Sequence, residues 1–155
     1  MVNKAPLDRR ITYGVLINSL RKYIEDEIDV TTLWRYPGFT APSDYDYVAI
    51  QFVNNVFTGE TKGDELINER VFFNLANFAS DVVSLDKRQA KINEILMYHT
   101  IPILNYDGVN IGEFSVTGVN GTRTITDGTE VESESTKIRS YTDFYVDVNH
   151  IKKRH

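Results

Sequence analysis

Apolar positions along this chain repeat with two periods, and each period marks an element. From Arg70 to Ser80 (RVFFNLANFAS) both alternating sets are apolar, Val71, Phe73, Leu75 and Ala79 on one and Phe72, Ala76 and Phe78 on the other. A strand covered on both faces has this pattern, so the segment is expected in the middle of a sheet. Tyr47 to Asn54 (YVAIQFVN) alternates with Val48, Ile50 and Phe52 on one face. Ile138 to Val148 (IRSYTDFYVDV) alternates more strictly, with Phe144, Val146 and Val148 inward and Tyr141, Asp143, Tyr145 and Asp147 outward. Val30 to Tyr36 (VTTLWRY) reads as a short edge strand ended by Pro37-Gly38, and Ile111 to Val116 (IGEFSV) as a further strand with Phe114 and Val116 on one side.

The helical period appears twice. Pro6 suits a first helical turn, and Ile11, Val15, Leu16, Leu20, Tyr23, Ile24 and Ile28 continue as one apolar stripe. Ser84 offers an N-cap to SLDKRQAKINEILMYH, in which Leu85, Ile92, Ile95, Leu96 and His99 share a face; Pro102 stops that helix and Tyr106-Asp107-Gly108 makes a turn. Strand, helix and strand from Arg70 to Phe114 thus form a unit in which a sheet packs on a helix. The pattern as a whole predicts an α+β fold, a mainly antiparallel sheet of four to six strands packed against two helices, with long polar loops.

The connections are polar. VFTGETKGDELINE, between the second and central strands, reads as a connection that is compatible with a hairpin; its Gly59, Lys62 and Gly63 lack the spacing of a phosphate loop. Thr117 to Lys137 has only Val119, Ile125 and Val131 as apolar residues, and structureless segments longer than about 12–15 residues in compact domains usually carry function. With 155 residues and 41% hydrophobic content the chain is read as a single domain spanning residues 1–155, with 150–155 (HIKKRH) as a frayed basic tail.

Charge and chemistry narrow the picture further. The formal charge of -5 argues against a general affinity for nucleic-acid phosphates. The chain has no Cys, which excludes disulfides and thiolate zinc sites and fits assembly in a reducing cytoplasm. No apolar run approaches the about 20 residues of a membrane helix, so no membrane partner is expected. His99, His150 and His155 lack ligand spacing, no nucleophile elbow appears, and the acids Asp127, Glu130, Glu132 and Glu134 lack the order of a calcium loop. Catalysis, metals and cofactors are therefore not expected. Glu25, Asp26, Glu27 and Asp29 crowd the first helix's C-terminal end, where the helix dipole disfavours negative charge. Trp34, the only Trp, lies among Tyr36, Phe39, Tyr45 and Tyr47, an aromatic grouping found both at interfaces and in ordinary rim packing.

Taken in order, the opening helix, YVAIQFV, RVFFNLANFAS, the helix ending at HTIPIL, IGEFSV and YTDFYVDV resemble the tail terminator and neck proteins of long-tailed bacteriophages. That resemblance implies a virion structural protein, assembled in the host cytoplasm, that forms a homo-oligomeric and commonly hexameric ring. Such a ring caps the tail tube, stops its polymerisation and joins it to the head connector; it has no catalytic residues to carry over. Its expected interface residues here are Trp34, Tyr36, Tyr45, Thr122, Thr124, Thr126, Glu130 and Glu132. Glu25, Asp26, Glu27, Asp127 and Glu134 would line a channel through which DNA passes without specific binding, like charge opposing adhesion. Two alternatives stand beside it: a head-completion or connector adaptor ring, and a monomeric binding module with an aromatic groove around Trp34 and Tyr45.

Overall fold

A computed structural model describes residues 11–42, 46–59, 66–125 and 138–151. In chain order its elements are α1 (Tyr13–Ile28), β1 (Thr32–Arg35), β2 (Tyr47–Gly59), β3 (Leu66–Ala79), α2 (Val82–Tyr98), β4 (Ile101–Leu104), β5 (Asn110–Phe114), β6 (Gly118–Ile125) and β7 (Ile138–Ile151). Five strands form one sheet in the order β1-β2-β3-β7-β6, in which β1 and β2 run parallel and every other pair antiparallel. β4 and β5 form a separate antiparallel pair. The fold is α+β, as the apolar periods predict.

β3 is the middle strand. Val71, Phe73 and Leu75 on one face join Val48, Ile50, Phe144 and Val146 beneath the apolar stripes of α1 (Leu16, Ile17, Leu20, Ile24) and α2 (Ile92, Ile95, Leu96). On the other face Ala76 and Phe78 pack with Tyr47 and Ala49 in a second, smaller cluster, with the Tyr47 and Phe78 rings stacked at 4.5 Å. A strand flanked by strands and loaded on both faces is the arrangement its two apolar sets require.

Several elements differ from the sequence expectation. α2 begins a turn earlier than Ser84. Asp81 is its N-cap, accepting the Ser84 N–H at 2.8 Å and the Ser84 hydroxyl at 2.9 Å, because a carboxylate at the cap satisfies an orphan donor and meets the positive end of the dipole. These bonds hold the Asp81 carboxyl below the usual carboxylate range, the Ser84 N–H contributing most. α1 begins at Tyr13, capped by Thr12; Pro6 lies outside the described residues.

Pro102 does not merely stop α2, which ends at Tyr98; it sits in β4 with its side chain exposed. The strand at Ile111 does not enter the main sheet either. Asn105 folds 101–104 back on 110–114: its Oδ1 accepts from the Asp107 and Val109 N–H groups at 3.0 and 2.9 Å, and Gly108 takes a φ of 81°. The resulting hairpin lies on α1, where Ser19 Oγ accepts the Leu104 N–H at 2.8 Å and donates to the Val15 carbonyl at 2.7 Å.

The place beside β7 is instead taken by β6, drawn from the polar segment 117–137. Backbone pairing does not need apolar side chains, and among the described side chains of β6 Val119 packs against the core. Residues 126–137 lie outside the described ones. β2 runs past Asn54 through a bulge at Phe52/Asn54 and pairs with β3 out to Gly59↔Ile67, so the two strands are the arms of a hairpin, and residues 60–65 between them, Lys62 and Gly63 included, lie outside the described ones. β7 likewise continues to Ile151, and His150 contacts Glu69 at 2.9 Å, so the frayed tail does not begin at 150.

Candidate interaction site around Trp34

β1 is an outer strand of the sheet, and its chemistry follows from the turn that ends it. Tyr36-Pro37-Gly38-Phe39 closes with the Phe39 N–H donating to the Tyr36 carbonyl at 2.9 Å, and Gly38 has a φ of 89°. Pro at the second position and a positive-φ Gly at the third are what a type II turn demands. The turn carries Tyr36 and Phe39 out beside Trp34, with edge-on ring contacts of 6.3 Å between Trp34 and Tyr36 and again between Tyr36 and Phe39. On the other side, Tyr13 of α1 meets Trp34 edge-on at 6.3 Å and stacks on Phe52 at 4.1 Å.

The result is a band of touching rings from β2, across the start of α1, to the turn after β1. Gly14 makes the approach possible: a Cβ there would run into Tyr106 Oη and the Trp34 indole. The sequence-predicted Trp34 and Tyr36 are thus brought together, Trp34 half-buried and Tyr36 exposed. Tyr45 lies outside the described residues. Beside the band opens a cavity of about 480 Å³ lined by Arg21, Leu33, Trp34, Tyr36, Phe39 and Thr40.

The acidic end of α1 has compensations. Asp29 caps the helix in the left-handed region (φ 52°), its N–H donating to the Glu25 carbonyl. Glu25 turns its carboxylate to the sheet, Oε1 accepting the Thr32 N–H at 3.0 Å while Oε2 lies 3.9 Å from Arg21. Asp26 is 4.0 Å from Lys22, and both Asp26 and Glu27 are exposed. Of the channel candidates, Glu25 therefore serves the β1 edge, Asp26 and Glu27 face solvent, and Asp127 and Glu134 lie outside the described residues. Thr122 and Thr124 are exposed on β6, the other outer strand; Thr126, Glu130 and Glu132 lie outside.

A second surface was not legible in the sequence. The outer half of β2 projects beyond the core with Val53, Val56 and Phe57 at 55%, 50% and 60% exposure. Its partner strands carry polar pairs across that surface. Glu69 accepts from Asn55 at 2.7 Å and contacts His150; on the opposite face Arg70 makes a two-pronged contact with Asp147 at 2.9 and 3.1 Å, its guanidinium 4.3 Å above the Tyr145 ring. The hydrogen bonds from Arg70 hold the Asp147 carboxyl below its usual range and raise the Arg70 value in turn. These pairings join residues separated by 14 to 81 positions, which no local motif signals.

Also unforeseen is a polar layer under α2. Asn77, Ser140 and Thr142 are buried on the sheet, and Gln89 reaches down to them, accepting from Ser140 Oγ at 2.6 Å and donating to Thr142 at 2.9 Å. Arg88 adds bonds to Asn77 Oδ1 and to the Phe78 carbonyl. His99 is at the helix end, half-buried, its Nδ1 2.7 Å from the Tyr23 hydroxyl, a boundary position consistent with its place on the apolar stripe. Partial burial, with the Glu27 charge adding to it, raises the Tyr23 value.

Among the described residues no group of three His, Asp or Glu side chains is placed to hold a metal ion, and no helix is long and apolar enough to cross a membrane. No protein-family profile and no curated protein sequence matches this chain.

Proposed function

We propose that this chain is a phage virion structural subunit that assembles with copies of itself into a ring, caps the tail tube and joins it to the head connector. The observation that supports the reading best is the projecting outer half of β2. Val53, Val56 and Phe57 stand half or more open to solvent where β2 extends with β3 beyond the core, Val56 opposite Arg70 on one face and Phe57 opposite Glu69 on the other, and large exposed apolar side chains of this kind are characteristic of a segment that a partner covers. A ring needs a contact between two different patches on neighbouring subunits, and the aromatic band around Trp34 offers a second patch distinct from the first. Polar exposed residues on β6, Thr122 and Thr124, then remain for the tail-tube side, and exposed Asp26 and Glu27 for a channel wall that DNA passes without binding.

The test is light scattering and electron microscopy of the purified protein, alone and with the cognate tail-tube and portal proteins. Closed rings that bind tail-tube protein, and that disperse when Val56 and Phe57 are both changed to Asp, are the expected result. Rings that bind portal but not tail-tube protein would move the assignment to a connector adaptor. A monomer at all concentrations, indifferent to both partners, would remove the ring reading.

A further inference from the structure

The open edge of β1 and the cavity beside it, part of the same Trp34 patch that the ring reading sets against a neighbouring subunit, fit one kind of ligand. In a parallel pair, alternate residues turn both backbone groups to the same neighbour. The Val48 N–H donates to the Thr31 carbonyl at 2.8 Å, and Thr32 stands opposite Val48, which sets the phase: Thr31, Leu33 and Arg35 face β2, while Thr32 and Trp34 turn their N–H and C=O outward. Glu25 already holds the Thr32 N–H. Trp34 thus turns its backbone groups to the outer edge of β1, and the cavity is lined by both Leu33 and Trp34, successive residues on opposite faces, which places it along that edge.

The cavity's chemistry is one-sided. At about 480 Å³ it is within the range of ligand clefts, about 300–1,000 Å³. Its walls are the rings of Trp34, Tyr36 and Phe39, and among the described residues the single charged one in the lining is Arg21. The Arg21 guanidinium has five N–H donors, of which one serves Asn18 at 3.0 Å; its acidic neighbour Glu25 stands at 3.9 Å with its other oxygen committed to Thr32. A carboxylate is therefore the charge that matches the cleft, and apolar side chains match its rings.

We propose that this groove binds an extended peptide segment of a partner protein in which acidic and apolar residues alternate. The segment adds as a short strand at the outer edge of β1, exchanging backbone hydrogen bonds with Trp34, while one carboxylate reaches Arg21 and apolar side chains lie on Tyr36 and Phe39. Backbone pairing supplies affinity and the flanking pockets supply choice, as in other strand-addition sites. Glu25 sets the register by closing the edge one residue pair upstream.

Trp34 is the only Trp, so tryptophan emission reports on the surroundings of this one groove-lining side chain. Full-length protein is titrated with a capped pentapeptide of alternating glutamate and valine, and with its lysine counterpart, at low salt. The glutamate peptide is expected to give a saturable change in emission and to bind at least ten-fold tighter than the lysine peptide. N-methylation of its central residue should abolish binding, Tyr36→Ala should weaken it about five-fold with an unchanged melting temperature, and Arg21→Glu should reverse the charge preference. Where Arg21→Glu fails to fold, Arg21→Gln replaces it and should erase the preference. No saturable response, equal binding of both peptides, indifference to N-methylation, or a folded Arg21 variant with the original preference would each overturn the proposal.

Discussion

Glu25 Oε1 accepts the backbone N–H of Thr32 at 3.0 Å, so an acid at the wrong end of its helix caps the start of the neighbouring edge strand. The carboxylate is held there by a chain reversal through Asp29, whose left-handed backbone brings β1 back alongside α1. Thr32 is fully buried, and its donor has no water to turn to. Glu25→Ala should cost about 1–3 kcal/mol, the range for leaving a buried donor unpaired. Amide exchange at Thr32 should quicken more than at Leu33, whose N–H faces β2. Unchanged protection at Thr32 in a destabilised variant would show that the loss comes from elsewhere.

Phe73 lies near the centre of the main cluster and stacks on Phe144 at 5.3 Å. Truncation to Ala should lower stability by about 3–5 kcal/mol, the cost of an aromatic cavity in a packed core. Denaturant unfolding measures it directly, and a loss under about 1 kcal/mol would contradict the central position of β3.

Gln89 sits between buried Asn77, Ser140 and Thr142, and its amide is the hub of their hydrogen bonds. Gln89→Leu preserves size and removes the hub, leaving Thr142 and Ser140 to find other partners; a loss of about 1–3 kcal/mol is expected. The double variant with Ser140→Ala should lose less than the sum of the two single changes, because the Ser140 hydroxyl no longer needs satisfying. Additive losses in the thermodynamic cycle would argue against a shared network.

Acid should weaken the β3–β7 pairing through Asp147. Arg70 holds its carboxyl below the ordinary range, so the native state binds a proton there less readily than the unfolded chain. Stability from the pair is present above the unfolded carboxylate value, about 3.9, and is lost as pH falls through the lower folded value. Below about pH 4 the wild type should therefore lose stability more steeply than an Asp147→Asn variant, as followed by denaturant midpoints. Parallel curves for the two proteins would show that the pair contributes nothing to the acid limb.

Asp26 and Glu27 are exposed, so changing both to Lys should leave the fold intact. If they line a ring's channel, the assembled variant gains DNA binding that falls steeply with salt, since each cation facing phosphate adds counterion release. Intact rings that still ignore DNA would make these acids an ordinary solvated surface, and the variant's migration with labelled duplex at two salt concentrations decides the matter.

Local pattern was enough to find both helices and the strands read at Val30–Tyr36, Tyr47–Asn54, Arg70–Ser80 and Ile138–Val148, though not the extension of β2 and β3 to Gly59 and Leu66, because alternation and helical stripes are properties of consecutive residues. It also located Trp34 and Tyr36 as a pair, since Pro37-Gly38 commits the chain to a turn beside them. Tertiary structure decided the rest. Which strand lies beside β7 depended on Asn105 folding 101–114 into its own hairpin, leaving polar β6 to fill the sheet, a competition that hydrophobic period does not register. Glu25 reads as a misplaced helix acid until β1 is brought against it, and Gln89 as a surface residue until Ser140 and Thr142 arrive from some fifty residues away. The cavity beside Trp34 likewise arises only when Arg21 from a helix and Phe39 from a turn meet at one strand edge. Hydrophobic period is written in neighbours along the chain, whereas the pairing of polar groups is settled by which buried donors and acceptors the packed core brings within reach of one another.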